Sequence, residues 1–209
     1  MTTIIDYGVG NIGSIANMLK KVNEDAIITS DLEKIADAKK LVLCGIGAFD
    51  DGMSKLGNMG IIDILKKKVL TDKTPILGVC LGMQLFTKYS EEGSKEGLGF
   101  ISGHTQKFQF QETVPAGGKP LRIPHMGWNL VNLSKKSKLF NDMYEEPRFY
   151  FVHSYHVVTD HPDDVLLTAS YGYPFTAAFE KDNIIGVQFH PEKSHKFGMK
   201  LYENFVKYY

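Results

Sequence analysis

Four short apolar runs, each handing over to a segment of helical period, constrain this chain more than any other feature. They are Thr2–Ile5, Ala26–Thr29, 40–44 and 75–79. After the first, Ile15, Met18, Leu19 and Val22 fall on one helical face. After the second, Ser30-Asp-Leu-Glu33 has the spacing of a helix capping box. Helical patterning returns over 49–56 and 61–70 after the third, and over 81–88 after the fourth. Apolar strands without alternation, separated by helices, predict a parallel sheet covered on both faces. The expected fold is α/β, doubly wound and flavodoxin-like. Ligands in such sheets bind at the carboxyl ends of strands, where Asp6, Gly45 and Cys80 fall.

The second half changes style. Strand candidates at 100–101, 107–110, 121–123 and 128–133 lie among Gly and Pro, and 148–158 reads as one longer strand. Runs at 165–168 and 176–179 follow. Lys181-Asp-Asn183 reads as a hairpin turn into 184–189. Antiparallel strands are therefore expected beside the parallel core. Phe197, Leu201 and Phe205 mark a closing helix. With no linker or repeat in sight, residues 1–209 are expected to form one domain.

Charge narrows the function. Lys+Arg and Asp+Glu both number 24, so nothing calls for nucleic acid. Two cysteines, Cys44 and Cys80, offer no disulfide framework and suggest a reducing, cytoplasmic setting. The opening residues enter a strand pattern rather than a signal peptide, and no run is long enough to span a membrane. Gly8, Gly10 and Gly13 have dinucleotide-fingerprint spacing, but the second strand lacks the acidic residue that reading needs.

Two motifs carry chemistry. Gly78-Val-Cys80-Leu-Gly82 sits where strand becomes helix, the context of a nucleophile elbow. Small flanking residues allow the sharp turn, and the first helical N–H groups favour negative charge on sulfur. Phe189-His190-Pro-Glu192 ends the last strand candidate. In an extended segment His190 and Glu192 would share a face, letting the carboxylate hold one ring nitrogen while the other meets a nucleophile. The expected roles are Cys80 as nucleophile, His190 as proton carrier and Glu192 as its orienting partner.

These motifs resemble the class I glutamine amidotransferases. Asp6-Tyr-Gly-Val-Gly-Asn11, Ile123-Pro-His-Met-Gly-Trp-Asn129, Phe151-Val-His-Ser-Tyr155 and His190-Pro-Glu-Lys-Ser194 resemble its branch of glutaminase subunits of imidazole glycerol phosphate synthase. The resemblance runs from the first strand to the last helix and implies hydrolysis of L-glutamine through a thioester, without metal or cofactor. It implies an oxyanion hole from the Leu81 N–H and the Gly45-Ile46-Gly47 loop, where a flipping peptide would assemble the second donor. Gln84 and Glu92 would hold the polar end of glutamine, with Gly45 and the backbone of His153, Ser154 and Tyr155 nearby. It also implies a heterodimer with a (β/α)8-barrel cyclase that receives the ammonia, with Asn11, Trp128 and Lys193 at the interface or gate.

Two departures stand out. Cys44 replaces a usual proline before the glycine loop, and His156 a usual tyrosine. A zinc set of His153, His156 and His190 is disfavoured, since strand residues three apart face opposite sides. Other readings are a paralogous glutaminase that supplies ammonia to amidino-sugar formation on surface polysaccharide, a stand-alone γ-glutamyl hydrolase, and a non-catalytic binding module.

Overall fold

The computed structural model describes residues 1–110 and 121–209. The first half alternates as expected: β1 Thr2–Ile5, α1 Ile12–Lys21, β2 Ala26–Thr29, α2 Leu32–Ala36, β3 Leu41–Gly45, α3 Phe49–Asn58, α4 Ile61–Lys66, β4 Ile76–Cys80 and α5 Leu81–Leu85. The second half adds β5 Gly103–Lys107, β6 His125–Leu130, β7 Asn132–Leu133, β8 Arg148–His153, β9 Tyr155–Thr159, β10 Val165–Tyr171, β11 Tyr173–Lys181 and β12 Ile184–Val187. Helix α6, His195–Tyr208, closes the chain.

The main sheet runs β2-β1-β3-β4-β12-β11-β10-β7. Pairing is parallel from β2 through β12 and antiparallel from there to β7. Alternate side chains of the parallel strands enter two cores. Ile4, Val42, Leu77 and Val79 pack with residues of α1 and α6. Ile5, Leu41, Leu43 and Ile76 pack with α2 to α5. Both faces are covered, which is why these strands read as unbroken apolar runs.

Several local expectations need correction. The N-cap of α2 is Asp31, whose side chain accepts from the Glu33 and Lys34 N–H groups, rather than Ser30. The helix expected over 61–70 ends at Lys66 and leaves through a π turn, Lys67–Thr71. There Asn183, in the β11–β12 turn, donates to the Val69 and Thr74 carbonyls. The helix after Cys80 ends at Leu85 rather than 88. Phe100 and Ile101 are buried but form no strand; Ile101 N–H bonds the Phe86 carbonyl instead. Residues 121–123 form none either, and β5 lies just ahead of the expected 107–110. The single strand expected at 148–158 is two, parted at Ser154, because they join different sheets. β8 pairs with β6 in a separate two-stranded sheet, while β9 pairs with β5 and β11.

Candidate active site

At Cys80 the chain turns with φ 55° and ψ −110°. Such a conformation costs on the order of 1–3 kcal/mol and persists where packing enforces it. Packing does so here. A Cβ on Gly82 would lie 1.9 Å from the Leu43 carbonyl oxygen, and one on Gly78 would lie 2.6 Å from Phe86. The two glycines let α5 press directly on β3 and β4, leaving Cys80 at the corner.

A cavity of about 320 Å³ opens over Cys80. Ile46, Gly47, Leu81, Gln84, Glu92, Pro124, Val152, His153, Ser154, Tyr155 and His190 complete its lining. Most of the expected substrate-side residues are thus together. Gly45 is not among them. It pairs with Cys80 across the sheet, and a Cβ there would meet the Tyr7 hydroxyl at 2.3 Å, so its smallness serves packing beneath the site. Gly47, with φ 102°, holds a backbone conformation suited to glycine.

His190 reaches the cavity from the turn after β12. Its N–H donates to the Tyr150 carbonyl at 2.9 Å. Buried Ser194 clips this turn to β8, since its Oγ donates to the His190 carbonyl at 2.6 Å and accepts from the Tyr150 N–H at 3.0 Å. Ser194 closes one of the motifs read from the sequence, which assigned it no role of its own. His190 Nδ1 lies 2.7 Å from Glu192 Oε1, with both side chains almost fully enclosed. The pair meets through a 3₁₀ turn, Pro191–Lys193, and not along the extended segment that the spacing suggested. Burial pulls the imidazole pKa down. The neighbouring Cys80 sulfur and the Glu192 carboxylate more than reverse this and raise it to about 10, so the ring carries its second proton at neutral pH. Cys44 is buried outside the cavity lining, and burial with Glu192 nearby pushes its thiol up to about 12. Both cysteines are free.

A hydrogen-bonded chain backs the opposite wall. His153 Nδ1 lies 2.7 Å from the Tyr155 carbonyl, which can only accept, so Nδ1 carries the proton. Nε2 then accepts from His125 Nδ1 at 2.9 Å. His125 Nε2 accepts in turn from Asn129 Nδ2 at 3.3 Å, and that amide also donates to the Ser170 carbonyl. Burial lowers the pKa of His125 to about 4. It lowers that of His153 to about 3, so both rings stay neutral as these bonds require. Gln84 is buried and donates to the same Tyr155 carbonyl at 3.2 Å. Glu92 accepts the Phe49 N–H at 2.8 Å, capping α3 while its side chain borders the cavity. His156 bonds Gln106 and Tyr173 instead, so the three histidines weighed for zinc do not converge.

Asn11, Trp128 and Lys193 lie outside the cavity lining, all exposed. On β6, Met126, Trp128 and Leu130 point outward while His125 points in. Trp128 stacks on His195 at 5.5 Å, and the Lys193 ammonium sits 5.8 Å over the Tyr150 ring. An apolar strip thus borders the site on the small sheet. Among the described residues no helix is long and apolar enough to cross a membrane.

Comparison with known proteins agrees with this geometry. The family described as glutamine amidotransferase class-I matches residues 3–208, and the chain belongs to it. Within it, the protein named imidazole glycerol phosphate synthase subunit HisH 2 from Methanococcus maripaludis is 56% identical over 207 residues, covering 99% of each chain. A relative of the same name from Pseudomonas aeruginosa is 47% identical with the same coverage. In fold, the chain matches the crystal structure of a glutamine amidotransferase. The TM-score is 0.71 at 17% identity, covering 98% of this chain and 97% of that one.

Proposed function

We propose that this chain is the glutaminase subunit of an imidazole glycerol phosphate synthase, its 209 residues forming one glutaminase domain that serves histidine biosynthesis in the cytoplasm. The observation that carries the mechanism is the buried His190–Glu192 pair facing Cys80 beneath a cavity sized for an amino acid. Cys80 attacks the side-chain amide carbon of glutamine as thiolate. His190, protonated at neutral pH, gives its proton to the departing nitrogen, so ammonia leaves and a thioester remains. The neutral ring then takes a proton from water, which adds to the thioester and releases glutamate. Glu192 holds the ring and its charge throughout. The Leu81 N–H and, once the Gly45-Ile46-Gly47 loop has flipped, the Ile46 N–H supply the oxyanion donors. Both hydrogens of the Gln84 amide are engaged inside the protein, so its oxygen serves glutamine, with Glu92 and the backbone of 153–155.

The outer row of β6 supports a docked partner. Met126 is 62% exposed, Trp128 45% and Leu130 49%, an apolar strip beside the cavity. We assign it, with Asn11 and Lys193, to a (β/α)8-barrel cyclase that receives the ammonia. Cys80→Ala should abolish glutamine-dependent activity of the reconstituted complex and leave its use of free ammonium unchanged. Loss of both would overturn the division of labour. The rival is a paralogous glutaminase whose ammonia goes to an amidino sugar, which would present the same site because the acceptor never touches this chain. Complementation of a histidine auxotroph separates the two.

A further inference from the structure

Gln188 was not singled out by its sequence, and the mechanism above does not use it. Its side chain is completely buried, two residues before His190. Its Nε2 lies 3.8 Å from Cys80 Sγ, within reach of an N–H···S contact. Its Oε1 accepts from Gln84 Nε2 at 3.0 Å.

The direction of this chain is fixed. The Tyr155 carbonyl has no hydrogen to give, so the Gln84 amide must present nitrogen to it. The second hydrogen of that nitrogen then points at Gln188, which must present oxygen. Gln188 is left with nitrogen toward the sulfur. The Tyr155 carbonyl is itself held by His153, and His153 by His125 and Asn129. A buried amide held in one orientation against the reacting atom is costly to maintain unless both of its ends are satisfied. The sulfur is what satisfies the nitrogen end.

We propose that Gln188 is a further member of the active site, donating a hydrogen bond that holds the Cys80 sulfur in place and favours its thiolate form. The inference rests on the reading of Cys80 as nucleophile. A donor toward sulfur gains strength when the sulfur becomes anionic, so the contact matters most in the attacking state. Gln84 then has two duties, one toward the bound amino acid and one in fixing the amide of Gln188. The titratable groups facing the sulfur or its cavity are His190 and Glu192 after β12, Tyr7 after β1, Cys44 on β3, Glu92 after α5, and His153 and Tyr155 where β8 meets β9. Replacing Gln188 changes none of them.

The test is the pH profile of iodoacetamide labelling of the purified chain, with the label mapped to Cys80 by peptide mass so that Cys44 does not contribute. It needs no glutamine and no partner. Gln188→Met keeps the length of the side chain and removes the donor. Labelling at pH 7 should fall about three- to tenfold, the worth of one weak charge-assisted hydrogen bond. The half-maximal pH should move up, and the alkaline plateau should match the parent. A purely structural role would lower the plateau and leave the midpoint in place, and an unmoved midpoint overturns the proposal. Should Gln188→Met fail to fold, Gln188→Glu keeps an acceptor for Gln84 and turns a carboxylate to the sulfur. Its midpoint should rise further, and an unmoved one is again fatal. A parent protein whose Cys80 takes no label at any pH would instead remove the nucleophile, and this inference with it.

Discussion

Replacing Gly82 by alanine tests whether the corner at Cys80 is held by close packing. The new Cβ would lie 1.9 Å from the Leu43 carbonyl oxygen. Ordinary contact begins at 3.4 Å, so α5 and β3 must part by 3.4 − 1.9, about 1.5 Å. No flexible side chain can absorb this, because the obstacle is backbone in the centre of the sheet. Forcing extra volume into packed structure costs about 1–3 kcal/mol, more where backbone must move. The backbone obstacle puts the cost at the top of that range, about 3 kcal/mol, and the helical gain of alanine over glycine, about 1 kcal/mol, leaves a net loss of about 2 kcal/mol. For a chain of this size that is a fall in Tm of roughly 4–8 °C. Gly13→Ala in α1 is the control, since a Cβ there meets nothing within 4 Å. It should stabilise by about 0.5–1 kcal/mol. Urea titration of both variants gives the two values. If Gly82→Ala lies within about 0.5 kcal/mol of the parent, the usual range for substitutions that disturb nothing, the packing account of the elbow is wrong.

His190→Ala should lower glutamine hydrolysis by about three orders of magnitude or more, since the base and nucleophile act as one unit; a loss below tenfold would count against its role. The charged His190 pair contributes stability that is complete below about pH 6.5 and is lost as pH rises toward its folded pKa of about 10. Urea midpoints of Glu192→Gln should therefore show a smaller decline over that alkaline range than the parent. His125 and His153, held neutral with pKa values of about 4 and 3, act in the other direction. Their contribution is present above about pH 6.5 and is lost as pH falls toward 4, read as a declining urea midpoint in acid. Asp31→Ala should cost about 1 kcal/mol through loss of the α2 cap, measured the same way.

The parallel half was legible because β1, β3 and β4 are buried on both faces and the helices between them carry a plain apolar stripe. Thr2–Ile5 and Ala26–Thr29 fall where the pattern put them. The break at Ser154 was not legible, because 148–158 is β-prone throughout and partner choice, not local propensity, divides it. Buried Phe100 and Ile101 read as a strand for a related reason: burial was correct, but Phe86 supplies the contact. Within the site, Cys80 and the His190 region announced themselves through spacing. Gln188, His125 and Ser194 did not, since each matters through an orientation set by distant backbone. One signal was available: a polar glutamine within the apolar run 184–189 is out of place unless it has partners.

The fold sorts two identical thiols by their surroundings. Cys44 and Cys80 end adjacent strands, yet one is walled in beside a carboxylate and the other borders an open cavity. A mild oxidant such as hydrogen peroxide therefore meets a single susceptible thiol. Oxidation of that thiol should track loss of turnover one-for-one, with the bystander cysteine surviving as an internal standard.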